Sequence, residues 1–220
     1  MPIPTGNWED DQVNGNYLLQ RELAYDLVDL NLVQNNEGKI FFLQSAGGGG
    51  KTYVCNTIAA AVRAINHPAL CVASSGIAAL LLDGGHTAHS CFKIPIPIFD
   101  TSFCNIGQNP QLKELIKLTK VIIWDEALMQ HHHAIEALDQ TLQDILDQEL
   151  PFGGLTVLIG GDSRQILPVI PRGSQEQIIN ASIFKSRLWA HIPCLSLNPK
   201  HAAPLIPRNC CFCTISLRSW

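Results

Sequence analysis

The chain has 220 residues, of which 46% are hydrophobic and 15% are charged, with a formal net charge of −4. This length and composition are typical of a folded globular protein with one large domain or two small ones. The negative charge excludes a protein that holds duplex DNA through a global positive field, although a groove for a single strand needs only a few local donors. The apolar runs are too short to cross a bilayer, so we expect no membrane association.

Residues 1–15 are acidic and lack both an apolar core and an arginine-rich helix, so they indicate a loose tail rather than a targeting peptide. Residues 16–200 are predicted to form the folded domain, and residues 201–220, which show no regular period, an irregular tail. The eight cysteines lack the two separated pairs of a zinc site and are interpreted as reduced thiols. The adjacent His131, His132 and His133 are expected to point in different directions, as an exposed polar turn rather than a metal site.

Short apolar runs alternate with segments of helical period along most of the chain. This alternation predicts an α/β fold, a mostly parallel sheet with helices on both faces, in which ligands bind beyond the carboxyl ends of the strands. Residues 93–111 contain three prolines and are predicted to form an irregular connection. The predicted strands are 39–44, 69–74, 121–124, 155–159 and 194–197, and the predicted helical segments are 51–65, 76–82 and 134–146.

A glycine-rich segment at 45–52, Ser-Ala-Gly-Gly-Gly-Gly-Lys-Thr, lies between the first predicted strand and the first predicted helix. This is the context of a phosphate-binding loop, in which backbone N–H groups and the helix N-terminus surround a triphosphate. Lys51 is predicted to reach the terminal phosphates and the Thr52 hydroxyl to ligate magnesium, so ATP and Mg²⁺ are the expected cofactors. A glycine turn with an incidental lysine is the alternative. The predicted phosphate cradle consists of Gly47, Gly48, Gly49 and Gly50, whereas Ser45 stands at the motif's first glycine.

Two carboxylates follow the third predicted strand directly. Asp125 is predicted to hold magnesium, and Glu126 to orient and deprotonate the attacking water. Gln165, in a polar turn after the fourth strand, is expected to hydrogen-bond the terminal phosphate or that water. Glu126, Lys51 and Gln165 are therefore the predicted catalytic residues. An acidic pair at a helix N-terminus and a simple polar turn are the alternatives.

Together these motifs resemble the first motor domain of superfamily 1 helicases, and most of all the petite-integration-frequency (Pif) DNA helicases, including the version carried by Helitron transposons. The resemblance runs from about residue 19 to residue 197. It implies a RecA-like P-loop domain that couples ATP hydrolysis to 5′-to-3′ movement on single-stranded DNA and to unwinding, with single strands and DNA junctions as partners. It also implies roles in DNA repair, recombination and telomere maintenance, in the nucleus or the mitochondrion. The segments that carry it are 73–79, 87–90, 124–127, 151–154, 161–169 and 171–174.

The resemblance also implies which residues contact DNA and nucleotide. Hydroxyl and imidazole groups would bind phosphates, an aromatic ring would stack on a base, and a lysine would add local charge; helix capping and loop polarity are the alternative. Gln20 and Arg164 are the implied additional nucleotide contacts, although Arg21 stands where the family has its adenine-reading glutamine. The implied DNA contacts are Ser74, Ser75, Thr87, His89, Ser90, Phe92 and Lys93.

The sequence departs from the family after the fifth predicted strand. Residues 198–202 lack the arginine that closes the corresponding family motif, and we expect no second motor domain. Because an arginine finger is typically worth about 10³–10⁵ in rate, we expect a monomeric fragment with little ATPase activity and no unwinding by itself. The alternatives are a catalytically dead remnant that still binds nucleotide or DNA, and an interaction protein with an empty cleft.

Overall fold

The computed structural model describes residues 39–45, 47, 49–162 and 167–197. Its strands are β1 (Ile40–Gln44), β2 (Ala69–Ala73), β3 (His86–Thr87), β4 (Val121–Asp125), β5 (Thr156–Gly161) and β6 (Cys194–Ser196). Its helices are α1 (Lys51–Ala64), α2 (Gly76–Leu81), α3 (Ala88–Phe92), α4 (Pro110–Leu118), α5 (His132–Leu146) and α6 (Gln175–Ala181). All five predicted strands are confirmed, with ends that differ by one or two residues.

The six strands form one sheet in the order β3-β2-β4-β5-β1-β6, and every neighbouring pair is parallel. From β1 the chain passes over two strand positions to reach β2, and β4 and β5 later fill that gap. All strands consequently end at the same edge of the sheet. This carboxyl edge collects the segments that follow β1, β2, β4 and β5, which carry the motifs singled out in the sequence.

The strands bury alternate side chains on the two faces of the sheet. Ile40 and Phe42 of β1 belong to a core cluster with α3, α4 and α5, whereas Phe41 and Leu43 belong to a second cluster with α1 and α2. Strand β4 divides its side chains between the same two clusters. Helices therefore cover both faces of the parallel sheet, as the sequence predicts, and a sheet buried on both faces explains its nearly continuous apolar strands.

Three helices are not predicted from the sequence: the five-residue α3, and α4 and α6. Helix α4 begins at the end of the proline-containing segment, where Asn109 caps the N-terminus by accepting from the backbone N–H of Leu112, and Pro110 takes the first helical position. Helix α6 begins with a reciprocal capping box between Ser174 and Gln177. Both of these starts are recognised local signals that the sequence contains.

The expectation that the three histidines diverge is wrong. His131 is not a helical residue: it caps α5 in an extended conformation, with φ −62° and ψ 136°. The three rings consequently cluster, with centroid distances between 4.2 and 4.7 Å, and all three are half-buried.

Among the described residues, no helix has the length and apolar character needed to span a bilayer.

A buried carboxylate on α5 fixes the turn that leads into β5. Asp139 Oδ1 accepts hydrogen bonds from the backbone N–H of Phe152 at 2.7 Å and from the Gln143 amide at 2.9 Å. Phe152 itself has a left-handed backbone, with φ 51°, and a fully buried ring. Arg187 lies 3.4 Å from Asp139 Oδ2 but is 56% exposed, so its charge contributes little.

We expect Asp139→Ala to lower the free energy of unfolding by about 1–3 kcal/mol, because the buried N–H of Phe152 loses its acceptor. Urea unfolding followed by circular dichroism measures the change. Asp144→Ala, an exposed substitution on the same helix, is the matched control and should stay within about 0.5 kcal/mol of the parent. Equal effects of the two substitutions would contradict this role for Asp139.

Candidate functional site

The glycine-rich loop connects the end of β1 to the start of α1 at the carboxyl edge. Gly50 precedes the helix with φ 85°, a left-handed conformation that favours glycine. Lys51 is the first residue of α1, and its Nζ donates to the Ser45 carbonyl oxygen at 2.8 Å, so the side chain turns back towards the beginning of the loop. Gly47 and Gly49 lie in the turn, whereas Gly48 lies outside the described residues.

A cleft of about 510 Å³ opens beside this loop. It brings together residues from three separate strand ends: Lys51 and Thr52 after β1, Asp125 and Glu126 at the end of β4, and a glycine and an aspartate at the end of β5. Of the predicted phosphate, metal and catalytic residues, Gly47, Lys51, Thr52, Asp125 and Glu126 line this cavity, whereas Gly49 and Gly50 are not among its lining residues. The glycine and the aspartate at the β5 end are Gly161 and Asp162, and the remaining lining residues are Ala78, Leu81, Leu128 and Met129.

Asp125, the last residue of β4, is only 5% exposed, and its Oδ1 accepts from the backbone N–H of Glu126 at 2.9 Å. Burial raises the pKa of the Asp125 carboxyl, an effect that this hydrogen bond and the Lys51 ammonium oppose and that the Glu126 carboxylate reinforces. A cation in the cleft would favour the charged form of the carboxyl. The environment of Asp125 therefore suits a metal ligand.

The backbone at Glu126 explains how two successive carboxylates reach one cleft. Neighbouring residues of a strand point to opposite faces, but Glu126 leaves the strand with φ 53°, a left-handed conformation that costs a residue other than glycine roughly 1–3 kcal/mol. This turn brings the Glu126 side chain to the start of α2, where its Oε2 accepts from Ser75 Oγ at 2.8 Å. The strain is thus located at the predicted catalytic carboxylate.

Three of the predicted DNA-contacting hydroxyls lie at the carboxyl ends of β2 and β3, the two strands on one side of the sheet. Ser74 Oγ accepts from the indole Nε1 of Trp124 at 3.1 Å, which leaves its own proton for another acceptor. Ser75 caps α2: its Oγ accepts from the backbone N–H of Ala78 while donating to Glu126. Thr87 lies beside Ala73 in the parallel register of β2 and β3. Ser75 thus contacts a side chain that lines the cleft, the backbone N–H of Ser74 bonds to the Asp125 carbonyl, and Thr87 lies one strand further out.

The other predicted DNA contacts lie in α3 or directly after it, and they differ in their exposure to solvent. Ser90 and Lys93 are exposed, and His89 is half-buried, with a pKa that burial lowers. Phe92 is a correction: its side chain is 0% exposed and packs in the core with its ring centroid 6.1 Å from that of Trp124. Phe92 has no free ring face on which a base could stack.

Some predicted residues lie outside the described part of the chain, and one useful residue was missed. Gln20, Arg164, Gln165 and both tails lie outside the described residues, so their roles stay predictions. Gly160 directly follows the predicted strand 155–159. A Cβ at this position would lie 2.7 Å from Asp125 Oδ1, so this glycine makes room for the carboxylate. The glycine pair at 160–161 was the available signal.

The residues of the cleft fit ATP and magnesium chemically. A hydroxyl and carboxylates are the oxygen ligands that Mg²⁺ prefers, and the Thr52 and Asp125 side chains supply them. A lysine ammonium and a glycine loop at a helix N-terminus are suited to phosphate groups.

We expect Gly160→Ala to displace the Asp125 carboxylate and to destabilise the fold by about 1–3 kcal/mol, because the added methyl group overpacks a buried strand end. Thermal unfolding measures the loss. Gly107→Ala is the matched control, because a Cβ there meets no atom within 4 Å. A Gly160→Ala protein as stable as the Gly107→Ala protein would show that Asp125 is not held against this glycine.

Comparison with known proteins identifies relatives for most of the described chain. A family model described as PIF1-like helicase matches residues 19–202. The ATP-dependent DNA helicase Pif1 of Psychrobacter sp. (strain PRwf-1) is 34% identical over 154 residues, which are 69% of this chain and 23% of that protein. The ATP-dependent DNA helicase RRM3 of Saccharomyces cerevisiae is 29% identical over 164 residues, or 73% of this chain and 22% of that protein. The chain thus spans about a quarter of the length of these curated relatives.

Solved structures agree with the sequence relatives. The chain matches the Pif1 helicase from Bacteroides, in complex with ADP-AlF3 and single-stranded DNA, with a TM-score of 0.65 and 25% identity over 78% of this chain and 41% of that chain. The Pif1 helicase from Candida albicans matches with a TM-score of 0.62 and 25% identity over 77% of this chain and 38% of that chain. The parallel sheet described above is therefore the RecA-like domain of these helicases. With its family match extending over residues 19–202, the chain belongs to the PIF1-like helicase family.

Proposed function

We propose that this chain is the ATP-binding motor domain of an ATP-dependent DNA helicase that moves 5′ to 3′ on single-stranded DNA. The observation that carries the proposal is the shared cleft of Lys51, Thr52, Asp125 and Glu126, residues from two different strand ends. A related helicase from Bacteroides forms a complex with ADP-AlF3 and single-stranded DNA, which supports the same two ligand classes here.

Each side chain of the cleft has a distinct role in this proposal. Lys51 exchanges its bond to the Ser45 carbonyl for the terminal phosphates, and the glycine loop binds the same group through its N–H groups. Thr52 and Asp125 hold Mg²⁺, which neutralises charge on the phosphates. Glu126 accepts a proton from the attacking water. Gln165 orienting that water, and Gln20 and Arg164 contacting the nucleotide, complete the proposed site.

The DNA strand is proposed to follow the hydroxyls at the ends of β2 and β3. Ser74 and Thr87 offer donors there, and His89, Ser90 and Lys93 extend the surface along α3. The single proton of Ser75 is directed at Glu126, so a DNA phosphate that recruits Ser75 competes with Glu126 for it. This competition would connect strand binding to the position of the hydrolytic carboxylate.

The wider biological setting is proposed from the family. We propose that the whole protein acts as a monomer on single strands and DNA junctions, in DNA repair, recombination and telomere maintenance. The nucleus is the proposed compartment, with the mitochondrion as the alternative. Because the 220 residues cover about a quarter of the relatives' length, ligand binding tests this domain more directly than unwinding does.

Lys51→Ala is expected to abolish measurable binding of ATP-Mg, because the phosphates lose their charge-assisted donor. Titration with a fluorescent ATP analogue in the presence of Mg²⁺ measures the affinity. Lys39→Ala is the control: it removes an exposed lysine immediately before β1 and should bind like the parent. Retained affinity in Lys51→Ala would refute the phosphate site.

Lys93→Ala is expected to weaken binding of single-stranded DNA and to reduce the slope of log affinity against log salt by about 0.7, the value for one phosphate contact on a single strand. Fluorescence anisotropy with a labelled oligonucleotide measures both quantities. Lys117→Ala removes an exposed lysine from α4, which leads into the amino-terminal end of β4, and should leave the slope unchanged. Identical slopes for the two variants would remove Lys93 from the DNA surface.

ATP hydrolysis with and without single-stranded DNA separates a motor domain from a binding remnant. A motor domain is stimulated by the strand, even if its turnover is slow. A remnant binds nucleotide or DNA without stimulation, and that result would contradict the proposed coupling.

A further inference from the structure

Three imidazole rings gather where α5 begins, outside the cleft just described. Each of His131, His132 and His133 has a ligand nitrogen, and these nitrogens all lie within 4.8 Å of one another. Nitrogen is a poor ligand for Mg²⁺ but a good one for late first-row cations. The cluster therefore differs in chemistry from the oxygen-rich magnesium site.

The cluster has a local structural cause. Successive residues of a regular helix point about 100° apart, which would separate three neighbouring rings. His131 lies before the first helical turn, and its Nδ1 accepts from the backbone N–H of His133 at 3.2 Å. This cap folds the His131 ring back over the two rings that follow it.

An unsatisfied buried atom points to a missing partner. The Nδ1 atom of His132 is buried and has no hydrogen-bond partner within the described structure. Buried polar atoms in native proteins are nearly always paired with protein, water or an ion. A cation at the cluster would supply this partner.

Carboxylates lie close enough to the cluster to favour a bound cation. The carboxylates of Glu136 and Asp100 exert an attractive field on the His133 ring. Glu136 is itself fixed, since its Oε1 accepts from Ser186 Oγ at 2.7 Å.

We propose that His131, His132 and His133 form a binding site for a late first-row divalent cation, with Zn²⁺ as the foremost occupant. Three imidazoles leave at least one coordination position for water. Zn–N bonds of about 2.0–2.1 Å place tetrahedral ligand nitrogens about 3.4 Å apart, so binding draws the rings together by up to about 1.4 Å. The His131 ring gives up its bond to the His133 amide in either mode of binding. Ligation through Nδ1 uses the lone pair that accepts this bond, and ligation through Nε2 requires the ring proton to move to Nδ1.

The test is a Zn²⁺ titration of the full 220-residue chain, prepared without an affinity tag and with its thiols alkylated to remove competing cysteine ligands. Excess Mg²⁺ is present, so that oxygen-ligand sites such as the cleft around Asp125 do not take up the zinc. A chromophoric chelator reports the bound zinc by competition. We expect one zinc ion per chain.

Two variants make the test specific to the cluster. His132→Ala and His131→Asn, which keeps an N-cap acceptor, should each weaken zinc binding at least about tenfold, the lower end of what loss of even an outer-shell partner costs. His86→Ala removes an exposed histidine on β3 and should bind zinc like the parent. Circular dichroism checks that each variant is folded. Zinc binding unchanged in both cluster variants, or no stoichiometric binding by the parent, would overturn the proposal.

Discussion

The common direction of the six strands is the constraint on which the site depends. In a parallel sheet each strand must be reached by a crossover, and all carboxyl ends then meet at one edge. This edge collects the glycine loop after β1, the serines after β2 and the carboxylates after β4. Residues 50 or more positions apart in the sequence, such as Ser75 and Glu126, consequently form direct hydrogen bonds.

The backbone conformation at a few positions then determines how the side chains at the carboxyl edge are arranged. The left-handed conformation of Glu126 lets it share a cleft with Asp125, although the two residues are adjacent. Gly160 on the neighbouring strand provides the space that the Asp125 carboxylate occupies. The bond between Ser75 and Glu126 joins the proposed strand-binding edge to the proposed hydrolytic group. In the proposed function, nucleotide and strand would therefore act on the same carboxylate.

The sheet and the phosphate loop could be predicted from the sequence because their signals are local: apolar strands, helical periodicity, and glycines between a strand and a helix. The direction of side chains in short elements could not be predicted from the sequence. Helix α3 has five residues, too few to show a hydrophobic period, so the burial of Phe92 beside Trp124 was not visible. The histidine cluster depends on a single extended residue, His131, whose backbone angles are set by the start of α5. The role of Gly160 depends on a contact between neighbouring strands.

The most direct test of the nucleotide cleft is a crystal structure of this chain with a non-hydrolysable ATP analogue and Mn²⁺, which replaces Mg²⁺ and is located by its anomalous scattering. The account predicts a manganese peak in the cleft within about 2.2 Å of the Thr52 hydroxyl oxygen, with Asp125 on the same ion directly or through water. It also predicts that Lys51 Nζ leaves the Ser45 carbonyl for the phosphates. A nucleotide bound elsewhere, with Lys51 still on Ser45 and no manganese between Thr52 and Asp125, would contradict it.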